Sequence, residues 1–150
     1  MPLSVQIEKM GLEHIDDIMV TENLSFKIPW SRNAFIEEIT KNKFAIYLVA
    51  RNYDKVIGYA GMWKVFDEGH ITNIAVHPDY RGNNVGSALL EALLDNGRNE
   101  GITRMTLEVR KSNLTAQALY SKYGFESAGI RKSYYADNGE DAIIMWKNNI

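Results

Sequence analysis

The chain of 150 residues suits one domain with one core, and its content of 45% hydrophobic and 24% charged residues is ordinary for a globular protein. Its net charge of −2 gives no support for a nucleic-acid partner, and the lack of cysteine excludes a disulfide framework, a thiolate zinc site and a cysteine nucleophile. Because residues 1–20 lack a signal-peptide pattern and no apolar run approaches ~20 residues, we expect a cytoplasmic protein without a membrane partner.

The first half of the chain predicts a strand, two helices and a hairpin. Residues 5–10 are typical of a strand, and residues 12–26 carry apolar side chains at helical spacing, beginning with Leu12. Ser31 is a suitable N-cap for a second helix, which follows Pro29. Residues 44–66 form two apolar runs around a polar turn, which indicates a hairpin.

The second half predicts alternating strands and helices. The predicted strands are 70–76, 104–110, part of 125–135, and 141–147, and the predicted helices are 85–100 and 115–123. We therefore expect a single mixed α/β (α+β) domain over residues 1–150. Its sheet should be mostly antiparallel and flanked by helices, with a parallel β-α-β step around 70–110.

The loop over residues 77–87 joins a predicted strand to a helix and holds the most specific pattern. A helix N-terminus offers about four unpaired N–H groups and a partial positive charge, so it favours a phosphate. Arg81 can add a cationic fork. The two common nucleotide motifs, Gly-x-x-x-x-Gly-Lys-Ser/Thr and Gly-x-Gly-x-x-Gly, are absent. The loop alone is equally compatible with a turn that binds nothing.

The segment IAVHPDYRGNNVGSALL resembles the acyl-coenzyme-A loop of the GNAT family of N-acetyltransferases, whose pattern is Gln/Arg-x-x-Gly-x-Gly/Ala. Arg81 and Gly86 match this pattern, whereas Asn84 stands where glycine is usual. The segment 107–125 and the order of elements also resemble the family over essentially the whole chain. The resemblance implies a GNAT-type fold with a β-α-β acetyl-CoA-binding core, and acetyl-CoA as co-substrate without a metal. The glycine usual at position 84 serves a close backbone approach or a left-handed conformation. Since asparagine tolerates the left-handed conformation, Asn84 need not abolish binding.

Four further stretches, IPWS at 28–31, LEVRKSN at 107–113, ALYSKYGF at 118–125 and the region 134–145, resemble the RimI branch of ribosomal-protein alanine N-acetyltransferases. This resemblance implies acetylation of a protein's N-terminal α-amine, with the N-terminal alanine of a small-subunit ribosomal protein as the expected target. Because the chain has no cysteine for an acetyl-enzyme, direct attack in a ternary complex is the simplest mechanism. The expected enzyme is a monomer or a weak dimer.

The resemblance also implies the site residues. Glu108, in the LEVR motif, is the expected general base, and Tyr120 is the expected acid. Without the resemblance, strand alternation is equally consistent with a surface glutamate at 108, and helix packing with a core tyrosine at 120. Tyr134 and Tyr135 are expected to grip the acceptor, or are plain surface tyrosines of a hairpin with the turn DNG. Asn113 serves as a helix N-cap, a cofactor ligand, or both. The expected cofactor-binding residues are Ile74, Ala75, Val76, Arg81, Gly82, Asn83, Asn84, Val85, Gly86, Ser87 and Asn113.

Two other functions are compatible with the sequence. A small-molecule acetyltransferase acting on a polyamine or an antibiotic would favour a strongly acidic groove, but the acidic residues here are scattered. A non-catalytic acyl-CoA-binding module would keep the loop 81–87 and lack the base and the acid, and the presence of both Glu108 and Tyr120 argues against it.

Overall fold

The computed structural model describes residues 3–150, which form one seven-stranded sheet with helices on both faces. The strands, in the sheet order β1-β2-β3-β4-β5-β7-β6, are β1 Gln6–Lys9, β2 Ala45–Asn52, β3 Lys55–Val65, β4 Glu68–Val76, β5 Arg104–Arg110, β7 Ala142–Asn148 and β6 Glu126–Arg131. The helices are α1 Ile15–Ser25, α2 Arg32–Thr40, α3 Val85–Asn99 and α4 Leu114–Lys122. The order of elements confirms the one predicted from the sequence.

Two apolar clusters divide the core between the faces of the sheet. On one face, the leucine stripe of α3 and Tyr120 of α4 pack in the larger cluster with alternate residues of the central strands, such as Leu48 and Leu107. On the other face, Ile18 of α1 and Phe35 of α2 pack on Tyr59. Strand alternation thus assigns the odd and even positions of β5 to opposite faces, with Leu107 buried in the core and Glu108 on the face of α1 and α2.

The parallel step predicted around 70–110 is present, but it is short. The strands β4 and β5 pair over only three positions, from Glu68 opposite Arg104 to His70 opposite Thr106. Beyond these positions the two strands separate, while β4 stays paired with β3 and β5 stays paired with β7. A bulge in the β3–β4 ladder, between Gly61 and Met62, increases the local bend. The result is a gap between the C-terminal halves of the two strands.

The first helix differs from the prediction at its start. Leu12 lies in a 3-10 turn and is 53% exposed, and the α-helix begins at Ile15. The imidazole of His14 accepts a hydrogen bond from the N–H of Gly11, and this contact stabilises the turn in place of a helical start at Leu12. Ser31 is the N-cap of α2, since its Oγ accepts from Ala34 N at 3.1 Å. Among residues 3–150, the longest helix is too short and too polar to cross a bilayer.

Candidate active site

The loop before α3 presents backbone N–H groups that lack helical partners. The first helical hydrogen bond runs from Ala88 N to Asn84 O, so the N–H groups of Val85, Gly86 and Ser87 precede it. The side chain of Asn84 does not cap them. Asn84 has φ 61° and ψ 21°, which is the left-handed conformation, one of the two explanations considered for the glycine usual at this position. The loop therefore directs a positive helix end outwards, although glycine is replaced.

Arg81 and Asn83 shape this loop from within. The guanidinium of Arg81 donates to Val76 O at 2.9 Å and to Ser25 Oγ at 3.2 Å, which joins the end of β4 to the end of α1. The side-chain amide of Asn83 donates to Tyr80 O and to Arg81 O. Both side chains are thus engaged by the protein itself. A direct contact of Arg81 or Asn83 with a cofactor stays a prediction.

A cavity of ≈ 520 Å³, called the helix-end cavity here, opens in front of the N-terminus of α3. Its wall contains every predicted cofactor residue except Asn83, together with Ser25, Phe26 and residues of α4 that the sequence did not point to. The C-terminal half of β4 forms one side with its edge that β5 does not pair. Because His77 N donates to Ile57 O on the β3 side, alternation directs the N–H of Val76 towards this open edge.

A second cavity of ≈ 400 Å³, called the strand-gap cavity here, lies where β4 and β5 separate. It is bounded by these strands, by residues 26–28 between α1 and α2, and by residues 134–137 after β6. The two cavities share five wall residues, which are Phe26, Ile74, Asn113, Ala116 and Tyr120. The cavities therefore meet at one place in the fold, between the end of β4 and the start of α4.

Tyr120 stands at this junction. It is 8% exposed, and burial raises the pKa of its phenol above the ordinary value, so the hydroxyl keeps its proton throughout the neutral range. Asn113 also lies at the junction and is the N-cap of α4, with its Oδ1 accepting from Ala116 N at 3.0 Å. The two readings of Asn113 are thus compatible. Tyr123, by contrast, points away and donates to Glu91.

Glu108 lies in the wall of the strand-gap cavity. Its carboxylate contacts a histidine and an arginine, and the sequence predicted neither contact. Its Oε2 lies 2.7 Å from Nε2 of His70, and its Oε1 lies 3.3 Å from Nε of Arg131. The hydrogen bond with His70, together with the charge of Arg131, outweighs burial and lowers the pKa of Glu108 below the ordinary value. Glu108 is therefore an ionised hydrogen-bond acceptor at neutral pH.

The position of His70 shows which signal could have revealed it. His70 is opposite Thr106 in the parallel ladder, and Glu108 follows Thr106 by two residues on the same sheet face. Strand alternation alone indicates the sheet face on which each of the two side chains lies. Their contact also depends on the register between β4 and β5, which the spacing of residues in the sequence does not give.

The segment 132–141 is held over the strand-gap cavity by Arg110 of β5. The guanidinium of Arg110 donates to Asp137 Oδ2 at 2.9 Å and to Glu140 Oε1 at 3.3 Å, and it stacks 4.0 Å from the ring centre of Tyr135. Tyr134 packs edge-on against Tyr135 with ring centres 5.1 Å apart. Both predicted acceptor tyrosines thus line the cavity. Their contact with an acceptor stays a prediction.

Comparison with known proteins agrees with this geometry. Residues 15–125 match the model of the Acetyltransferase (GNAT) family. A Bacillus subtilis (strain 168) protein, provisionally named a ribosomal protein bS18-alanine N-acetyltransferase, is 43% identical over 146 residues, which cover 97% of each chain. The crystal structure of the ribosomal-protein-S18-alanine N-acetyltransferase from Escherichia coli superposes with a TM-score of 0.88 at 34% identity, covering 97% of this chain and 94% of that one.

A more distant structure shows the fold alone. The PaiA N-acetyltransferase from Thermoplasma acidophilum, solved in complex with coenzyme A, superposes with a TM-score of 0.83 at 19% identity and covers 97% of this chain and 99% of its own. The matched segment begins with α1, includes the loop before α3, and ends directly after α4. It therefore contains the junction of the two cavities. The chain belongs to the GNAT family of acetyltransferases.

Proposed function

We propose that this enzyme transfers the acetyl group of acetyl-CoA to the N-terminal α-amine of a protein. The proposed target is the N-terminal alanine of the small-subunit ribosomal protein bS18, for which the relatives are named. One observation carries the proposal: the helix-end cavity and the strand-gap cavity meet at Tyr120, and Glu108 lies on the strand-gap side. Such a junction lets a donor and an acceptor reach each other directly in a ternary complex.

The helix-end cavity fits the shape and charge of coenzyme A. The N–H groups of Val85, Gly86 and Ser87 suit the pyrophosphate, because they combine unpaired donors with the positive end of α3. The open edge of β4 suits an extended amide-containing arm, which can pair with it like an added strand. A Cβ on Gly82 would meet no atom within 4 Å, so this loop leaves its outer side open. When bound, acetyl-CoA supplies the activated acetyl thioester.

Glu108 is the proposed base. An α-amine has a reference pKa near ~7.7–8.0, against ~10.4 for a lysine side chain, so about a tenth of α-amines are already neutral near pH 7. A carboxylate that faces the acceptor stabilises the ammonium on arrival and takes its proton, a contribution on the order of 10²–10⁴ in rate. The two partners of Glu108 hold its carboxylate at the wall of the strand-gap cavity.

Tyr120 is the proposed acid. Its phenol lies at the junction and remains protonated, because burial raises its pKa. It can donate its proton to the sulfur that leaves when the amine displaces it. The N–H of Val76, on the open edge of β4, is a suitable donor to the carbonyl oxygen on which negative charge develops.

The charges around the strand-gap cavity favour a polypeptide over a polyamine. Two acids and two bases line it, namely Glu108, Asp137, Lys27 and Arg110, and Arg131 adds a further positive charge beside Glu108. The cavity is therefore not acidic as a whole. A polycation needs an excess of negative charge, whereas one terminal ammonium needs a single carboxylate.

Turnover with two acceptors tests this proposal. We expect a short Ala-initiated peptide with the bS18 N-terminal sequence to be acetylated with a kcat/KM at least ~100-fold above that for spermidine, a difference of about 2.7 kcal/mol. The same peptide with a blocked N-terminus is the control and should not react. Preferred turnover of spermidine would instead assign the chain to the small-molecule acetyltransferases.

A further inference from the structure

His70 forms a close pair with the proposed base but lies outside the strand-gap cavity's own wall. The contact joins Nε2 of His70 to Oε2 of Glu108 at 2.7 Å. The side chain of His70 is 36% exposed, whereas that of Glu108 is 10% exposed. Glu108 therefore lines the strand-gap cavity with little exposure, while His70, its hydrogen-bond partner, reaches solvent.

Groups from three strands and from the segment after β6 lie around this pair. On β3, Trp63 packs edge-on against the imidazole at 6.5 Å between ring centres. On β6, Arg131 contacts the other oxygen of Glu108. On β5, Arg110 is engaged by Asp137 and Glu140. Tyr134, in the segment after β6, faces Glu108 and Arg131, and its pKa is raised mainly by burial.

We propose that His70 is a positioning residue that holds the carboxylate of Glu108 and relays the acceptor's proton from it to solvent. This inference rests on the proposed function. The relay acts through Glu108, since the structure places no part of His70 in the wall of either cavity.

The acceptor ammonium loses a proton to the carboxylate of Glu108, and its nitrogen keeps the electron pair for attack. In the ionised pair, Nε2–H of His70 donates to Oε2 of Glu108, so the imidazole can accept a proton at Nε2 only in the tautomer that carries its hydrogen on Nδ1. This neutral tautomer, which exchanges with the first through water, takes the proton from the carboxyl group across the 2.7 Å contact. The imidazolium then releases the proton of Nδ1 to water, which restores the Nε2–H tautomer and the ionised carboxylate. No group is oxidised or reduced.

The chemistry of Glu108 explains why a relay is useful. A carboxylate with a lowered pKa holds an ammonium well, but it is a weak sink for the proton of an amine that titrates near ~7.7–8.0. Imidazole is the side chain most often used to take up and release protons in catalysis, so it is suited to pass this proton on to water. Arg131 beside the carboxylate makes a proton stored on Glu108 still less favourable.

The test compares His70→Gln with the wild-type enzyme at pH 7 and at pH 9.5, using an Ala-initiated peptide and saturating acetyl-CoA. Glutamine keeps a donor towards Glu108 but takes up no proton. We expect kcat/KM to fall on the order of 10²-fold at pH 7 and to recover to within a few fold at pH 9.5, where the free α-amine is already neutral. In a Glu108→Gln background, His70→Gln should cause no further loss at pH 7.

A second histidine–glutamate pair supplies the control. His14 lies 3.1 Å from Glu8 and outside both cavities, so His14→Gln should leave the pH profile unchanged once melting temperatures confirm folding. A deficit in His70→Gln that is equal at both pH values would indicate packing alone and overturn the relay, as would no deficit. If the wild-type enzyme fails to acetylate the peptide at either pH, the proposed function itself is wrong and the relay falls with it.

Discussion

The two cavities that meet at Tyr120 offer different kinds of chemical groups to a ligand. The helix-end cavity offers a ligand backbone groups, namely the N–H groups at the start of α3 and the open edge of β4. The strand-gap cavity presents charged side chains that are paired across elements, as Glu108 is with His70 and Arg131. A backbone site tolerates side-chain replacement while its conformation is kept, and Asn84 illustrates this. A site of paired charges does not, because each partner removed leaves the other unsatisfied.

The largest effect should come from replacing Glu108, the proposed general base on the strand-gap side. We expect Glu108→Gln to lower kcat/KM for an Ala-initiated peptide on the order of 10²–10⁴-fold, since the amide cannot accept the ammonium's proton. The Kd for acetyl-CoA, measured by calorimetry, should stay unchanged because Glu108 is absent from the wall of the helix-end cavity. Glu126→Gln, on the exposed strand β6, is the control. Near wild-type turnover would remove Glu108 from the mechanism.

Tyr120→Phe tests the junction itself. We expect kcat to fall on the order of 10²-fold, because the leaving sulfur loses its proton donor, with little change in acetyl-CoA binding. Because burial raises the pKa of Tyr120, kcat of the wild-type enzyme should show no decline between pH 8 and pH 10 from loss of this proton. Tyr123→Phe, which removes the hydroxyl bonded to Glu91, is the matched control. Equal kcat values for the two phenylalanine variants would exclude Tyr120 as the acid.

On the helix-end side, a smaller effect should show whether the backbone conformation of Asn84 or its side chain matters for acetyl-CoA binding. Asn84→Val should weaken acetyl-CoA binding about tenfold, because a β-branched residue at φ 61° costs ~1–2 kcal/mol. Asn84→Gly should stay within a few fold of the wild-type Kd, since glycine adopts this conformation freely. Calorimetric titration of both variants measures the difference. Identical affinities would show that the left-handed conformation does not matter for binding.

The smallest effect should come from loosening the segment over the strand-gap cavity. Asp137→Asn removes the charge that Arg110 contacts at 2.9 Å, so the segment 132–141 should be less well held. We expect KM for the peptide to rise about fivefold, or ~1 kcal/mol, with kcat and acetyl-CoA affinity nearly unchanged. Asp67→Asn, in the exposed turn between β3 and β4, is the control. A change confined to acetyl-CoA affinity would contradict this expectation, because it would assign the segment 132–141 to the helix-end cavity.

The contrast also explains what the sequence could predict. The loop before α3 is a local feature, so its glycines, its following helix and the tolerance of Asn84 for a left-handed conformation followed from residues adjacent in the chain. The elements and the parallel step at 70–110 followed from periodicity and order. Glu108 and Tyr120 became candidates only through the family resemblance. Strand alternation alone was consistent with a surface glutamate, and helix packing alone with a core tyrosine.

Contacts between distant segments were beyond reach. His70 and Glu108 are 38 positions apart, and Arg110 holds residues 27 and 30 positions further on. Each contact depends on the register of β4 with β5, or on the path of the segment between β6 and β7. Register is set by the packed sheet as a whole. The contacts of Arg81 within the loop likewise depended on where β4 and α1 end.

The most direct test of the central claim is where the acetyl group is placed. An Ala-initiated peptide that carries one internal lysine, incubated with the enzyme and acetyl-CoA, can be read by tandem mass spectrometry. The proposed base Glu108, on the strand-gap side of the junction, suits an amine that needs modest help, so we expect a single acetyl group on the α-amine and none on the lysine. Acetylation of the lysine side chain at a comparable rate would contradict the account.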